Sequence, residues 1–337
     1  MSSMKIKSSI RDYKVIFVEN SNNLLSDYSD KDVVIVDKNV FSKWDNLFSD
    51  VPCKIIKIEA TEKQKSYQEI GKIINGLIEF GFKKNGKIIA VGGGITQDIC
   101  GFISSIMFRG VEWEFYPTTL LAQGDSCIGG KTSVNFGDYK NQLGNFNPPK
   151  RIYIYSEFID TLPDLDIRSG VGEMLHFYLV SSREDFNLFK KHWNPKSLVK
   201  RCLEIKKHFI EIDEFDKKER LVLNYGHTFG HAIESITNHI IPHGIAVSMG
   251  MDIANYISMK KDYIDKSIYS EINSVVKEIC HDVEHEKIDI KKFIETLKKD
   301  KKNINENIMC VLTKGMGNMF LEEIKLSDMD TYLQEYF

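Results

Sequence analysis

Up to about residue 155 the chain alternates between two hydrophobic periods, and few architectures accommodate that pattern. Short β-branched runs at 13–18, 32–36, 53–58 and 87–91 are separated by stretches of helical patterning such as 62–80. Strands that alternate with helices bury both faces of a parallel sheet, so this half reads as α/β. After residues 152–155 the texture changes to Lys/Glu-rich segments of helical period at 195–215, 221–238 and 269–279, which reads as a helical domain. A chain of 337 residues exceeds the size at which one core stops growing. Two domains are therefore expected, 1–157 and 158–337, with the Asp/Thr/Pro helix-start signal of FIDTLPD at their junction.

Composition removes several classes of function. Forty-five Lys and Arg balance 48 Asp and Glu, and no basic block is present to neutralise a run of phosphates, so nucleic acid is not an expected partner. Cys53, Cys100, Cys127, Cys202, Cys280 and Cys310 are scattered without a CxxC, which suggests buried thiols and neither a zinc knuckle nor a disulfide framework. No apolar run reaches the roughly 18 residues of a membrane span, and the N-terminal stretch lacks a signal-peptide core. The expectation is a soluble cytoplasmic protein with no membrane partner.

Two stretches carry chemistry. In KIIAVGGGITQDICGF an apolar strand runs into Gly92, Gly93 and Gly94 ahead of a helical pattern. Such a turn lets backbone N–H groups approach a pyrophosphate, although the spacing is not GxGxxG and a tight turn alone would look the same. Asp37, ending the run VVIVD, is suited to a ribose hydroxyl and equally suited to capping a helix.

In RLVLNYGHTFGHAIESI, the residues Arg220, Asn224, His227 and His231 stand at offsets 0, 4, 7 and 11. On a continuous helix these fall within about 60° of one another, a polar stripe where a core stripe is usual. Arg, Asn and two His flanked by apolar residues suggest a wall that binds anions and a metal. His243 follows at what reads as another helix start, and Glu173 in RSGVGEMLHFYL is the acid of a mostly apolar helix beginning. Imidazoles plus one carboxylate make a zinc-type site that keeps a position open for substrate. For Glu173 alone, an N-terminal acid favoured by the helix dipole is the competing reading.

With these residues in view, the chain resembles the 3-dehydroquinate synthase and sugar-phosphate cyclase family over roughly residues 30–325. The carriers are GGGITQDICGF, FRG, PTTLLAQGDSCIGGKTSVN, YKNQLGNF, DTLP, GVGEMLHF, LNYGHTFGHAIE, PHGIAVSMGM and DKKN, in family order. The resemblance implies an α/β N-terminal NAD-binding domain plus an all-α C-terminal metal-binding domain, usually in a homodimer.

Carried over by position, it makes Glu173, His227 and His243 the metal ligands, with zinc the default and cobalt able to take the same geometry. His231 becomes a residue for substrate phosphate and proton transfer. NAD contacts would come from Asp37, Glu62, Lys65, Gly93, Gly94, Asp98, Thr118, Thr119, Asp125, Lys140 and Thr161. Substrate would be held by Asp125, Lys131, Asn141, Lys206, Arg220 and Asn224, with Arg109 reaching phosphate across the dimer and one of Lys301 and Lys302 facing it as well. The implied reaction oxidises a hydroxyl of a seven-carbon keto sugar acid phosphate with NAD, eliminates phosphate, returns the hydride and closes a carbocycle by an aldol step. NAD is then catalytic, and Lys206 with Arg220 suits a substrate carboxylate.

Two positions depart from the pattern. Family members that make dehydroquinate usually carry Lys three residues after the ligand Glu, where this chain has His176, a shorter and only partly protonated group. Gln97 replaces a small residue in the Gly-rich segment. His176 motivates the main alternative, a specialised cyclase acting on another heptulose or hexose phosphate. A polyol dehydrogenase of the glycerol dehydrogenase type and a non-catalytic NAD-binding protein are the remaining readings.

Overall fold

A computed structural model describes residues 2–21, 24–137, 139–191, 194–283, 288–298 and 307–337. They divide into two compact units, Met1–Leu162 and Pro163–Phe337. The expected boundary at 157/158 falls inside a short 3-10 helix, Ser156–Thr161, whose Phe158 packs with Val18 and Tyr155 in the core of the first unit. That packing carries the helix with the sheet.

The first unit runs β1 (Ser2–Ile6), β2 (Tyr13–Val18), β3 (Val33–Asp37), α1 (Lys38–Lys43), β4 (Lys54–Ile58), α2 (Tyr67–Glu79), β5 (Lys87–Gly92), α3 (Gly94–Ile106), β6 (Glu112–Pro117), β7 (Lys131–Phe136), β8 (Tyr139–Phe146) and β9 (Arg151–Tyr155). Seven strands form one sheet in the order β1-β2-β9-β6-β5-β3-β4, parallel throughout except for the β1–β2 pair. Central strands β3 and β5 are buried along nearly their whole length, which is why they read as continuous apolar runs. The run EWEFYP of β6 hides its strand character behind Glu114, a fully buried carboxylate that accepts from Tyr28 and Tyr153 and faces Arg151.

Helix α2 buries Ile70, Ile73 and Leu77, an i, i+3, i+7 stripe, and each side chain contributes roughly 1.5–3 kcal/mol by leaving water. It starts at Tyr67 and not at 62, because Ser66 caps it by accepting from the Glu69 amide. Residues 61–65 are thereby left in a turn, free for other contacts.

The second unit contains α4 (Asp164–Ser181), α5 (Arg183–Lys191), α6 (Pro195–Ile212), α7 (His227–Ile236), α8 (His243–Lys260), α9 (Lys266–Ile279), α10 (Ile290–Lys298), β10 (Asn307–Thr313), β11 (Met319–Lys325) and α11 (Leu326–Tyr336). It is helical as expected, with one addition to the all-α reading. Strands β10 and β11 form an antiparallel pair, tied to α8 where Ser258 accepts from the Thr313 amide. NIMCVLT is a short apolar run, and such a run does not by itself distinguish strand from helix.

Helix α4 is buried continuously from Ser169 to Val180, and α8 is buried over most of its length. Their backbones meet at glycines. A β-carbon on Gly172 would stand 2.3 Å from the Gly244 carbonyl oxygen. All six cysteines are free thiols, and among the described residues no helix is long and apolar enough to cross a membrane.

Candidate active site

In the first unit six of the expected cofactor residues gather at the carboxyl ends of neighbouring strands. Asp37 ends β3, Gly93 and Gly94 follow β5, Thr118 and Thr119 follow β6, and Thr161 lies in the 3-10 helix after β9. The crevice outside those strand ends is where open parallel sheets bind ligands.

Helix α3 begins there with no side-chain cap and no acid in its first turn. Gly94 has no internal reason to be glycine, since a β-carbon would meet nothing nearer than Ser126 Oγ at 3.8 Å. An uncapped helix start with a bare approach fits the pyrophosphate of a dinucleotide. Asp37 accepts from the Asn39 amide at 2.7 Å as the N-cap of α1, so its structural role is the capping one. Gln97 is tied to Ser126 by two hydrogen bonds of 2.6 and 2.7 Å, beside Asp125 in the π-helical turn Ala122–Ser126.

Four expected residues are joined in one hydrogen-bonded chain whose links the sequence did not reveal. Lys65 Nζ lies 2.6 Å from Asp98 Oδ2, and Asp98 accepts from the Ser133 amide at 3.0 Å. The Ser133 hydroxyl donates to Asn141 Oδ1, the Asn141 amide donates to Asn135 Oδ1, and Asn135 Nδ2 donates to Glu62 Oε2 at 2.8 Å. Asn135 sits at a bulge between β7 and β8, which turns its own amide toward the Lys65 carbonyl. Asn141 holds a φ of 54°, a conformation that Asn tolerates better than most residues. Ser133 and Asn135 were legible only as members of the GGKTSVN string. Lys131 and Lys140 lie on the same hairpin, and Arg109 stands at a φ of 62° beyond α3.

In the second unit the polar stripe is not one helix. Arg220 and Asn224 lie in a 3-10 turn, Glu219–Asn224, and the chain then breaks at Gly226, where φ is 81°. A β-carbon there would meet Val247 O and Met251 Cγ at 2.6 Å, so the close approach of α8 dictates both the glycine and the break. The shared-face argument therefore fails for Arg220 and Asn224. Arg220 instead donates to the Glu214 carbonyl, and Asn224 to the Leu221 carbonyl.

Within the real helix α7, His227, His231 and Glu234 fall at offsets 0, 4 and 7, within about 60° of one another. Glu234 is the member that sequence reasoning missed, although the string HAIE contains it.

Glu173 on α4 meets two of the three histidines head on. Its Oε1 lies 3.5 Å from His227 Nε2 and its Oε2 lies 3.4 Å from His243 Nε2, with all three ligand atoms within 4.8 Å of one another. A tetrahedron with bonds near 2.05 Å has edges of about 3.3 Å, so these separations suit a small divalent ion. Glu173 Oε2 is buried and accepts no hydrogen bond among the described residues. A buried, unsatisfied carboxylate oxygen is costly unless a cation meets it. The opposite ring nitrogens are turned away, His227 Nδ1 to the Tyr225 carbonyl at 3.3 Å and His243 Nδ1 to Glu234 Oε2 at 3.0 Å. The set fits a metal.

Burial alone pushes the Glu173 carboxyl up. His227 first, then His176 and His243, outweigh it and hold the group below the ordinary carboxylate range. Glu234 is held low in the same way, burial being overcome by His243 and, more weakly, by His231 and His239. A second cluster of His231, Glu234 and His243 also comes within 4.8 Å, but Glu234 already occupies His243 Nδ1, and His231 is exposed.

His176 is fully buried, its Nδ1 2.6 Å from the Glu173 carbonyl oxygen and its ring 5.3 Å from that of His227. Lys206 is buried on α6 with its Nζ 5.9 Å from the centre of the Phe177 ring. Lys301 and Lys302 lie outside the described residues.

The chain thus joins an α/β unit bearing an uncapped Gly-rich turn to a helical unit bearing a Glu/His/His cluster. The structure is similar to a crystal structure of 2-deoxy-scyllo-inosose synthase complexed with carbaglucose-6-phosphate, NAD+ and Co2+, with a TM-score of 0.88 and 99% of each chain covered. At 23% identity that likeness is one of fold. In sequence, the 3-dehydroquinate synthase N-terminal family pattern matches residues 55–169 and its C-terminal counterpart residues 170–303. The 3-dehydroquinate synthase of Alkaliphilus metalliredigens is 34% identical over 91% of this chain and 90% of its own. That of Clostridium perfringens (strain 13) is 36% identical over 80% and 79%. The chain belongs to the 3-dehydroquinate synthase family, and is a cyclase of that family.

Proposed function

We propose that this chain is a 3-dehydroquinate synthase: an NAD- and metal-dependent lyase that converts a keto sugar acid phosphate to a carbocycle with loss of phosphate. The observation that carries the reading is the Glu173, His227 and His243 cluster, set in a chain similar to curated 3-dehydroquinate synthases along most of its length. When bound, NAD supplies a reversible hydride acceptor, and the ion, zinc or cobalt, supplies a Lewis acid for a substrate oxygen.

The protein's own residues then have separate tasks. The Glu62, Lys65, Asp98 and Asn141 network fixes the wall along which cofactor and substrate lie. Buried Lys206 and Arg220 provide cationic charge for the substrate's anions. His231, the exposed imidazole beside His243, takes the proton-transfer role in this reading, which its solvent access supports. The proposal includes a cytoplasmic homodimer, with Arg109 directed at the phosphate held by the neighbouring protomer.

The test is phosphate release by metal-loaded protein given NAD and 3-deoxy-arabino-heptulosonate 7-phosphate. Formation of 3-dehydroquinate without net NADH is the expected result. His176 favours a second reading, since a buried imidazole stands against Glu173 where dehydroquinate-forming relatives usually carry lysine. Release from sedoheptulose 7-phosphate or glucose 6-phosphate, and none from the acid, would overturn the first reading in favour of a specialised cyclase.

A further inference from the structure

We infer that Glu234 is a positioning residue for His243, and that it sets both the tautomer and the donor strength of that imidazole toward a bound divalent ion. The inference rests on the proposed metal role of the Glu173 cluster.

An imidazole offers a metal only the nitrogen that carries no proton, so the partner of the other nitrogen decides which one is available. Glu234 Oε2 lies 3.0 Å from His243 Nδ1, and His243 Nε2 faces Glu173 Oε2 at 3.4 Å. With the proton held on Nδ1 by a carboxylate, Nε2 presents its lone pair to the site. His227 is arranged alike but with a weaker partner, the Tyr225 carbonyl at 3.3 Å. The two histidines are thus unequal: one is backed by a neutral dipole and the other by an anion. His243 is also the more exposed of the two side chains, 32% against 13%, and so has less packing to orient its ring. A directional hydrogen bond from α7 replaces that packing.

Glu234 also has His231, with a ring nitrogen within 4.8 Å of its carboxylate, Thr237, whose hydroxyl donates to its carbonyl, and His239, whose Nδ1 lies 3.9 Å from Oε1 and whose amide donates to the same carbonyl. A purely structural role for Glu234 would run through His239 and the end of α7, and can be separated from the positioning role by experiment.

Metal-free full-length protein would be titrated with Co2+ against a competing chelator, reading the visible absorption of the bound ion, for wild type, Glu234→Ala, Glu234→Gln and His239→Ala. Thermal unfolding of each metal-free protein would be measured alongside. The expected result is Co2+ affinity weakened about 10- to 100-fold in Glu234→Ala, with a changed spectrum. Glu234→Gln, which keeps an oxygen acceptor without its charge, should lie between, and His239→Ala should match wild type. Wild-type affinity and spectrum in Glu234→Ala would overturn the inference. So would a loss in His239→Ala equal to that in Glu234→Ala, accompanied by equally lowered metal-free unfolding temperatures. Wild type that binds no Co2+ would overturn the metal reading itself, and the inference with it.

Discussion

Gly244 and Ser169 stand backbone against backbone, so close that a β-carbon at 244 would lie 1.7 Å from the Ser169 carbonyl oxygen, while the Gly244 amide donates to the Ser169 hydroxyl at 3.0 Å. This contact brings the first turn of α8 against α4, and with it His243 against Glu173. Gly244→Ala would have to push the two helices apart. It should cost at least about 3 kcal/mol, at or above the usual range for overpacking, and should weaken divalent-ion binding in whatever protein remains folded. Thermal unfolding and Co2+ titration check this, and an unchanged unfolding temperature would contradict the role given to the contact.

Gly94 makes the opposite prediction. A β-carbon there meets nothing in the chain closer than 3.8 Å. Gly94→Ala should therefore leave stability within about 0.5–1 kcal/mol of wild type, since Ala is if anything the better helix former. NAD affinity measured by calorimetry should fall by about tenfold or more, equivalent to 1.4 kcal/mol or more. Unchanged NAD binding would remove the argument that the glycine leaves room for pyrophosphate.

Lys206 is buried, and the proposed function gives its cation to a substrate anion. Lys206→Met keeps much of the side-chain length and apolar stem while deleting the cation. kcat/KM for the phosphorylated substrate should drop roughly 30- to 150-fold, the worth of one charge-assisted contact of about 2–3 kcal/mol, with Co2+ binding unaltered. Steady-state kinetics beside a metal titration reads both, and an unaltered kcat/KM would place Lys206 outside the substrate site.

Asp185 and Arg201 provide a pH-dependent contribution to stability from residues given no part in the site. Arg201 donates to both carboxylate oxygens at 2.8 Å, and this pairing, against the opposing effect of burial, holds the Asp185 carboxyl below its ordinary range. A depressed folded-state pKa contributes stability above the unfolded value, near 3.9, and that contribution is lost as pH falls through the folded one. Asp185→Asn should cost about 1–2 kcal/mol at pH 7, discounted because Arg201 is 43% exposed, and the difference from wild type should shrink below about pH 4. Denaturant unfolding at several pH values checks the sign, and a gap that widens in acid would reverse it.

The sequence alone determined the hydrophobic periods and the inventory of chemical groups. The alternating runs specify the parallel sheet, because a strand buried on both faces must be apolar throughout, and VVIVD and KIIAVG show this. Glu173, His227 and His243 were likewise visible as polar groups among apolar neighbours. Tertiary structure decided which groups share a face and which nitrogen of each ring points inward. The stripe from Arg220 to His231 has helical spacing, yet the chain breaks at Gly226, because the backbone of α8 at Val247 and Met251 occupies the space a continuous helix with a side chain would need. The link from Glu62 through Asn135 to Asp98 depends on a bulge, and the orientation of His243 depends on a carboxylate from another helix. Periodicity is a local property of a chain, whereas a steric exclusion or a cross-element hydrogen bond exists only once two distant segments are packed together.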